Sequence, residues 1–147
     1  MSKQKRPLTI EEITESKKIF GDHINYTDVY IINGKYFPLQ GKHTVMAPDG
    51  NIYWPKAPEN LATSNDKAII GTFIHEMTHI MQHQKGINVL LKGLLLQTAR
   101  ILSLGFYNPY AFTYSAARPF SSYNIEQQGD YARAVYFKQL PGPINFS

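Results

Sequence analysis

From Lys67 to Lys85 the apolar positions recur at helical spacing, and this stretch organises the rest of the chain. With His75 set at zero and roughly 100° per residue, Ile69, Ile70, Phe73, Ile74, Met77, Ile80 and Met81 fall in one arc of about 120° to 260°. That arc is the predicted core face. The opposite side carries His75 and His79, flanked by Ala68, Gly71, Thr72 and Gln82, small or polar residues that leave room beside the two rings. Ser64 is the predicted N-cap, with Asp66 in the first turn, and Gly86 is the predicted stop.

Other segments take their type from the same patterning. Thr9-Ile-Glu-Glu12 has capping-box spacing and opens a helix predicted to run to Phe20. Residues 27–36 are rich in β-branched and aromatic side chains and contain Asn33-Gly34, which predicts a strand or a hairpin. Residues 44–54 read as two short strands around Pro48-Asp49-Gly50, in which Tyr53 and Trp54 are candidates to pack the sheet against the motif helix. Residues 55–63 form a loop. Leu90 to Ser103 is a predicted helix packed on the motif helix, with insertion into a membrane surface as the alternative; Lys92 and Arg100 argue against a spanning segment. Residues 105–123, rich in Tyr, Pro and Ser, read as a lid or binding loop. Ser122 or Asn124 caps a last helix that Pro141 and Pro143 end. Strands in one half and helices around them make the fold class α+β, a single domain over residues 1–147 with residues 1–8 a flexible basic tail.

Composition narrows the chemistry. A chain of 147 residues without cysteine has no disulfide and no thiolate metal ligand, and is indifferent to the redox state of its surroundings. The net charge of +4 is scattered beyond the amino terminus, with no basic run interleaved with aromatics, so nucleic acid is not an expected partner. The basic start continues into Leu-Thr-Ile-Glu-Glu rather than an apolar run; no Sec-type signal is expected, and export would use another route.

The helical stretch contains His75-Glu76-Met-Thr-His79. Two histidines one turn apart can meet one tetrahedral metal ion, while Glu76, about 100° away, stands where a carboxylate takes a proton from water on the metal. With five His in the chain, roughly 0.007 copies of the motif arise by chance. A third ligand must come from elsewhere. The position ten residues after His75 is Lys85, and His83 is too early, so the pattern with a third histidine is not met. Glu126 and Asp130, four apart in the last helix, offer a ligand and a supporting carboxylate behind the ligands, although about 0.2 such pairs occur by chance. Arg133 shares their face, as a buttress of Asp130, a partner for a substrate carboxylate, or an exposed charge. His23 and His43 are reserve ligands only. Tyr114 and Tyr123 are the candidates for a hydrogen bond to a developing oxyanion, against a purely packing role.

His75-Glu76-x-x-His79 with Glu126-x-x-x-Asp130 resembles the gluzincin metallopeptidases, in which that Glu is the third zinc ligand and that Asp orients the first His. More narrowly, Ile-His-Glu-Met-Thr-His-Ile-Met-Gln at 74–82 and Tyr-Asn-Ile-Glu-Gln-Gln-Gly at 123–129 resemble zincin toxin domains linked to type VI secretion spikes and Rhs-type toxins. The resemblance implies a minimal zincin-like metallopeptidase fold, with a small, mostly antiparallel sheet beside the active-site helix, an edge strand from residues 45–54 that pairs with extended substrate backbone, and a second helix bearing a ligand. It also implies Zn2+ as cofactor, a protein or peptide substrate, a delivery spike and a cognate immunity protein as partners, and action inside a target cell, in periplasm or cytoplasm. The rivals are an amidase of cell-wall peptides, a catalytically silent zinc-stabilised adaptor, and a membrane-binding toxin acting through residues 87–104.

Overall fold

The structure, a computed structural model, describes residues 3–147. In chain order its regular elements are β1 (Gln4–Pro7), α1 (Ile10–Phe20), β2 (Tyr30–Asn33), β3 (Ile52–Tyr53), α2 (Lys67–Gln84), α3 (Val89–Leu102) and α4 (Ile125–Tyr136), with two short 3-10 turns. The architecture is α+β. The sheet has the order β1-β2-β3, with β1 antiparallel to β2 and β2 parallel to β3. Outside β3, Met46 pairs antiparallel with Tyr53, so antiparallel pairing flanks a single parallel ladder.

The basic start is a strand rather than a flexible tail, except that Met1 and Ser2 lie outside the described residues. Gln-Lys-Arg-Pro does not look like a strand because it lies at the sheet edge, where charge and proline are tolerated. What pins it is Glu12. Thr9 and Glu12 form the expected capping box, but the fully buried Glu12 carboxylate also accepts two hydrogen bonds from Arg6, both 2.9 Å, and one from the Leu61 N–H at 2.8 Å. One carboxylate thereby ties β1, α1 and the loop before α2 together.

Asn33-Gly34 does not close a hairpin; β2 takes β1 and β3 as its neighbours, and the Asn33 side chain accepts from the Lys56 N–H instead. The turn at Pro48-Asp49-Gly50 does form, with Gly50 at φ +92° and the Met46 and Tyr53 backbones exchanging hydrogen bonds of 3.1 and 2.7 Å across it.

Helix α2 is the centre of the molecule. Ile70, Phe73, Ile74, Met77, Ile80 and Met81 are buried as the periodicity predicts, and Ile69 is half-buried. Its cap is Asp66, which accepts from the Ala68 N–H, while Ser64 accepts from the Asp66 N–H two residues earlier. The side of α2 that bears the histidines is covered as well, by α4. Gly71 does not leave space for a ligand; a Cβ there would lie 2.9 Å from the Phe137 ring. The cap of α4 is Asn124, whose capping box uses Gln127, and the helix ends at Tyr136, with Lys138 at φ +58°, before either proline. Helix α3 touches α2 and α4 but buries only Val89, leaving most of its leucines in solvent.

Candidate metal centre

Helix α2 delivers both histidines to one side because four residues make slightly more than one turn, and their rings stand 5.0 Å apart, edge to face. Helix α4 crosses above them. Gly129 lets it come close, since a Cβ there would lie 2.6 Å from His75 Cε1 and Nδ1. The approach brings Glu126 Oε2 to 3.1 Å from His75 Nε2 and Glu126 Oε1 to 3.3 Å from His79 Nε2. All three ligand atoms lie within 4.8 Å of one another, and among the described residues they form the one group of this kind.

The outer ring nitrogens are held too. His75 Nδ1 is 3.1 Å from Asp130 Oδ1, and Arg133 donates to the same oxygen at 2.9 Å. A ring that gives its Nδ1–H to a carboxylate presents Nε2 as a free lone pair. His79 does the same with a neutral partner: its Nδ1 is 2.9 Å from Gln82 Oε1, and the Gln82 amide donates to Gln128 Oε1 at 2.8 Å and to the Ile125 carbonyl at 3.1 Å. Gln128 in turn donates to the carbonyls of Tyr123 and Phe120. Gln82 and Gln128 have no evident chemical role in the sequence, and their partners are visible only once α2 and α4 are packed. The amphipathic pattern counts Gln82 on an open face, whereas it is buried.

Electrostatics at the cluster follow from burial and proximity. Burial opposes a charge on His75, but the Asp130 and Glu126 carboxylates prevail and raise its pKa to about 10. His79 is likewise raised despite its burial, chiefly by Glu126. Glu126 is also desolvated, yet the two imidazoles hold it well below the usual carboxylate range. Such an arrangement wants a cation between the carboxylate and the two rings, and two imidazole nitrogens with one carboxylate are a donor set suited to zinc with a fourth position left open. Glu76 differs. It is buried, burial raises its pKa, and among the described residues its carboxylate has no hydrogen-bond or ion-pair partner.

Glu76, His79 and Glu126 form the floor of a cleft of about 350 Å³. One wall is Phe37 and the Val45–Pro48 segment, and the other is Val89, Leu90, Gly93, Leu94 and Gln97 of α3. Because Met46 spends its N–H and C=O on Tyr53, the alternating pattern of a strand turns the backbone groups of Val45 and Ala47 the other way, along the free edge.

The two nominated tyrosines lie in an aromatic cluster. Tyr123 is buried, its hydroxyl accepts from the Ser115 N–H at 2.9 Å, and Arg118 stacks on its ring; Tyr114 packs edge-on against Tyr131. Tyr110, not singled out by the sequence, is tied to the segment that bears Glu126. The carbonyls on either side of it, of Pro109 and Ala111, accept hydrogen bonds of 2.8 Å from Asn124 and Gln127, which flank Glu126. Its hydroxyl donates to Gln97 in the cleft wall at 2.8 Å, and burial followed by the charge of Glu126 raises its pKa. Arg133 binds Asp130. His23 packs against Phe146, and neither it nor His43 joins the cluster.

No family model matches the chain. It is 42% identical over 136 residues to the type VI secretion system spike protein VgrG2b of Pseudomonas aeruginosa, covering 91% of this chain and 13% of that protein. Its fold superposes on the effector domain of Pseudomonas aeruginosa VgrG2b with a TM-score of 0.81 at 41% identity, over 90% of this chain and 73% of that one. The chain belongs to the VgrG2b effector-domain family. It therefore spans only a small part of the full spike protein, and the shared region contains the α2–α4 core on which His75, His79 and Glu126 converge.

Proposed function

We propose that this protein is the peptide-bond-hydrolysing domain of a type VI secretion effector, delivered into a target cell by a spike protein and using zinc held by His75, His79 and Glu126. The single observation that carries the reading is Glu76, a buried residue whose carboxylate has no hydrogen-bond or ion-pair partner among the described residues and lines the cleft with His79 and Glu126. A purely structural zinc site has no use for such a group, which weighs against a silent adaptor. When bound, zinc supplies Lewis acidity that brings the pKa of a water toward about 7.

Glu76, its own pKa raised by burial, would take the proton of the attacking water and return it to the leaving amine. Asp130 and Gln82 keep the two imidazoles in the tautomer that turns Nε2 inward, and Arg133 holds Asp130 in place. An extended peptide fits along the free edge of Val45–Ala47, with an apolar side chain between that edge and Leu90, Gly93 and Leu94. Tyr110, anchored beside Glu126, is the candidate donor to the developing oxyanion.

The test pairs zinc counting with cleavage of a mixed peptide library. Wild type should bind one zinc per chain and cleave, and Glu76→Ala should keep the zinc while losing about 10²- to 10⁴-fold in rate. Undiminished cleavage by Glu76→Ala, or stoichiometric zinc in a wild type that cleaves nothing, would overturn the proposal. Cleavage confined to wall-peptide amides would move the substrate to the cell wall.

A further inference from the structure

Leu90, Leu91, Leu94, Leu95, Ile101 and Leu102 of α3 all face solvent, with exposures from 43% to 78%. At about 100° per residue they fall within one arc of roughly 140°, broken only by Thr98. Lys92 and Arg100 lie about 60° and 80° outside the two ends of that arc, on the half of the helix that also carries the half-buried residues, and both are exposed. The other side of the helix, with Val89 buried and Gly93, Leu96 and Ala99 half-buried, is what meets the protein. Past the helix the apolar surface continues through Leu104, 86% exposed, and Phe106, 95% exposed. A contiguous apolar surface of this extent is a contact surface on most water-soluble domains.

Charge identifies what it contacts. The sequence has no Asp or Glu between Glu76 and Glu126, whereas Lys85, Lys92, Arg100 and Arg118 all lie there. Among the described residues none of these four cations joins an ion pair, since the pairs use Arg6, Lys18, Arg133 and the two histidines. A partner groove that buried the leucines would need acids along both rims to meet Lys92 and Arg100. A layer of anionic headgroups over hydrocarbon offers that arrangement everywhere, with leucines at depth and cations reaching to the phosphates. Among the described residues no helix is long and apolar enough to cross a membrane, and the geometry proposed for α3 is that of a helix lying in the interface plane.

We propose that α3 and the Leu104–Tyr107 segment form a docking face for anionic lipid bilayers. Leu90 and Leu94, at one border of this face, line the cleft, so docking through Leu91, Leu95, Ile101 and Leu102 holds the open cleft beside the membrane surface, where its substrates would be met. The docking face stands independently of the hydrolytic chemistry.

The test is co-flotation of the 147-residue chain with phosphatidylcholine vesicles, and with vesicles in which part of that lipid is replaced by phosphatidylglycerol. The chain should float with the anionic vesicles only, and less so as salt is raised. The triple variant Leu91→Ser, Leu95→Ser, Leu102→Ser, whose sites are exposed and outside the cleft, should bind at least tenfold more weakly with an unchanged circular dichroism spectrum. Lys92→Gln should weaken binding about fivefold, as expected for one cation near a charged surface. Failure to float with either vesicle, or undiminished flotation of the triple variant, overturns the proposal. So does a wild-type dimer that the triple variant dissolves, because the face would then belong to a second copy.

Discussion

Gly129 of α4 lies directly against the His75 imidazole, with no room for a side chain between them: a Cβ would sit 2.6 Å from two ring atoms. The contact sets how closely the helix bearing Glu126 approaches the helix bearing the histidines. Gly129→Ala must therefore push α4 outward or rotate His75. It should cost about 1–3 kcal/mol of stability, as overpacking does, and lower zinc affinity more than tenfold. Thermal unfolding with and without zinc would measure both, and an alanine variant with wild-type zinc affinity would show that the close approach is dispensable.

Asp130 should matter for metal affinity without being a ligand. Asp130→Ala removes the acceptor that selects the His75 tautomer and is expected to weaken zinc binding about 10- to 100-fold. Competition against a chromogenic chelator gives the number directly.

Zinc affinity should rise with pH. In the metal-free protein His75 has its pKa raised from 6.5 to about 10. Its contribution to stability is therefore complete below pH 6.5 and disappears as pH rises through about 10. Metal must displace that proton, so affinity should climb about tenfold per pH unit across the neutral range. A flat profile in calorimetric titrations would contradict the ionisation assigned to His75.

Tyr110→Phe is expected to reduce kcat by about 10²- to 10³-fold with little change in KM, as loss of an oxyanion donor does. Tyr123→Phe should leave kcat alone and cost about 1 kcal/mol of stability, because its hydroxyl serves the Ser115 backbone. Steady-state kinetics on the two variants distinguishes the roles.

Glu12 should control acid stability. Burial alone would raise its pKa, but the hydrogen bonds from Arg6, Leu61 and Thr9 outweigh it and leave the pKa lowered from 4.5. Its contribution is thus present above pH 4.5 and lost as pH falls through the lowered value. Glu12→Gln should destabilise the protein by about 2–3 kcal/mol at neutral pH and flatten this part of the acid profile. Denaturant unfolding across that range would reveal a variant as stable as wild type, if the carboxylate were idle.

The elements whose signals are local are legible in the sequence itself. The α2 core face, the α1 capping box and the Pro48-Asp49-Gly50 turn each depend on residues within a few positions of one another, and each is present. Strand β1 is not legible there, because a charged edge strand acquires its order from a neighbour and from a buried carboxylate rather than from its own apolar content. The outward orientation of α3 is equally hidden. Its amphipathic period says that one face is apolar, not which face the body of the protein covers.

The same division runs through the metal centre. His75, Glu76 and His79 sit on one helix, so their relative positions follow from backbone periodicity, and sequence alone determined them. The distance of Glu126 from the rings, the chain of amides from His79 through Gln82 to Gln128, and the anchoring of the Tyr110 segment to Asn124 and Gln127 beside that carboxylate were decided only by tertiary packing. They depend on how closely two helices some fifty residues apart come together, and that spacing comes from side-chain volumes at the crossing, chiefly the missing side chain of Gly129.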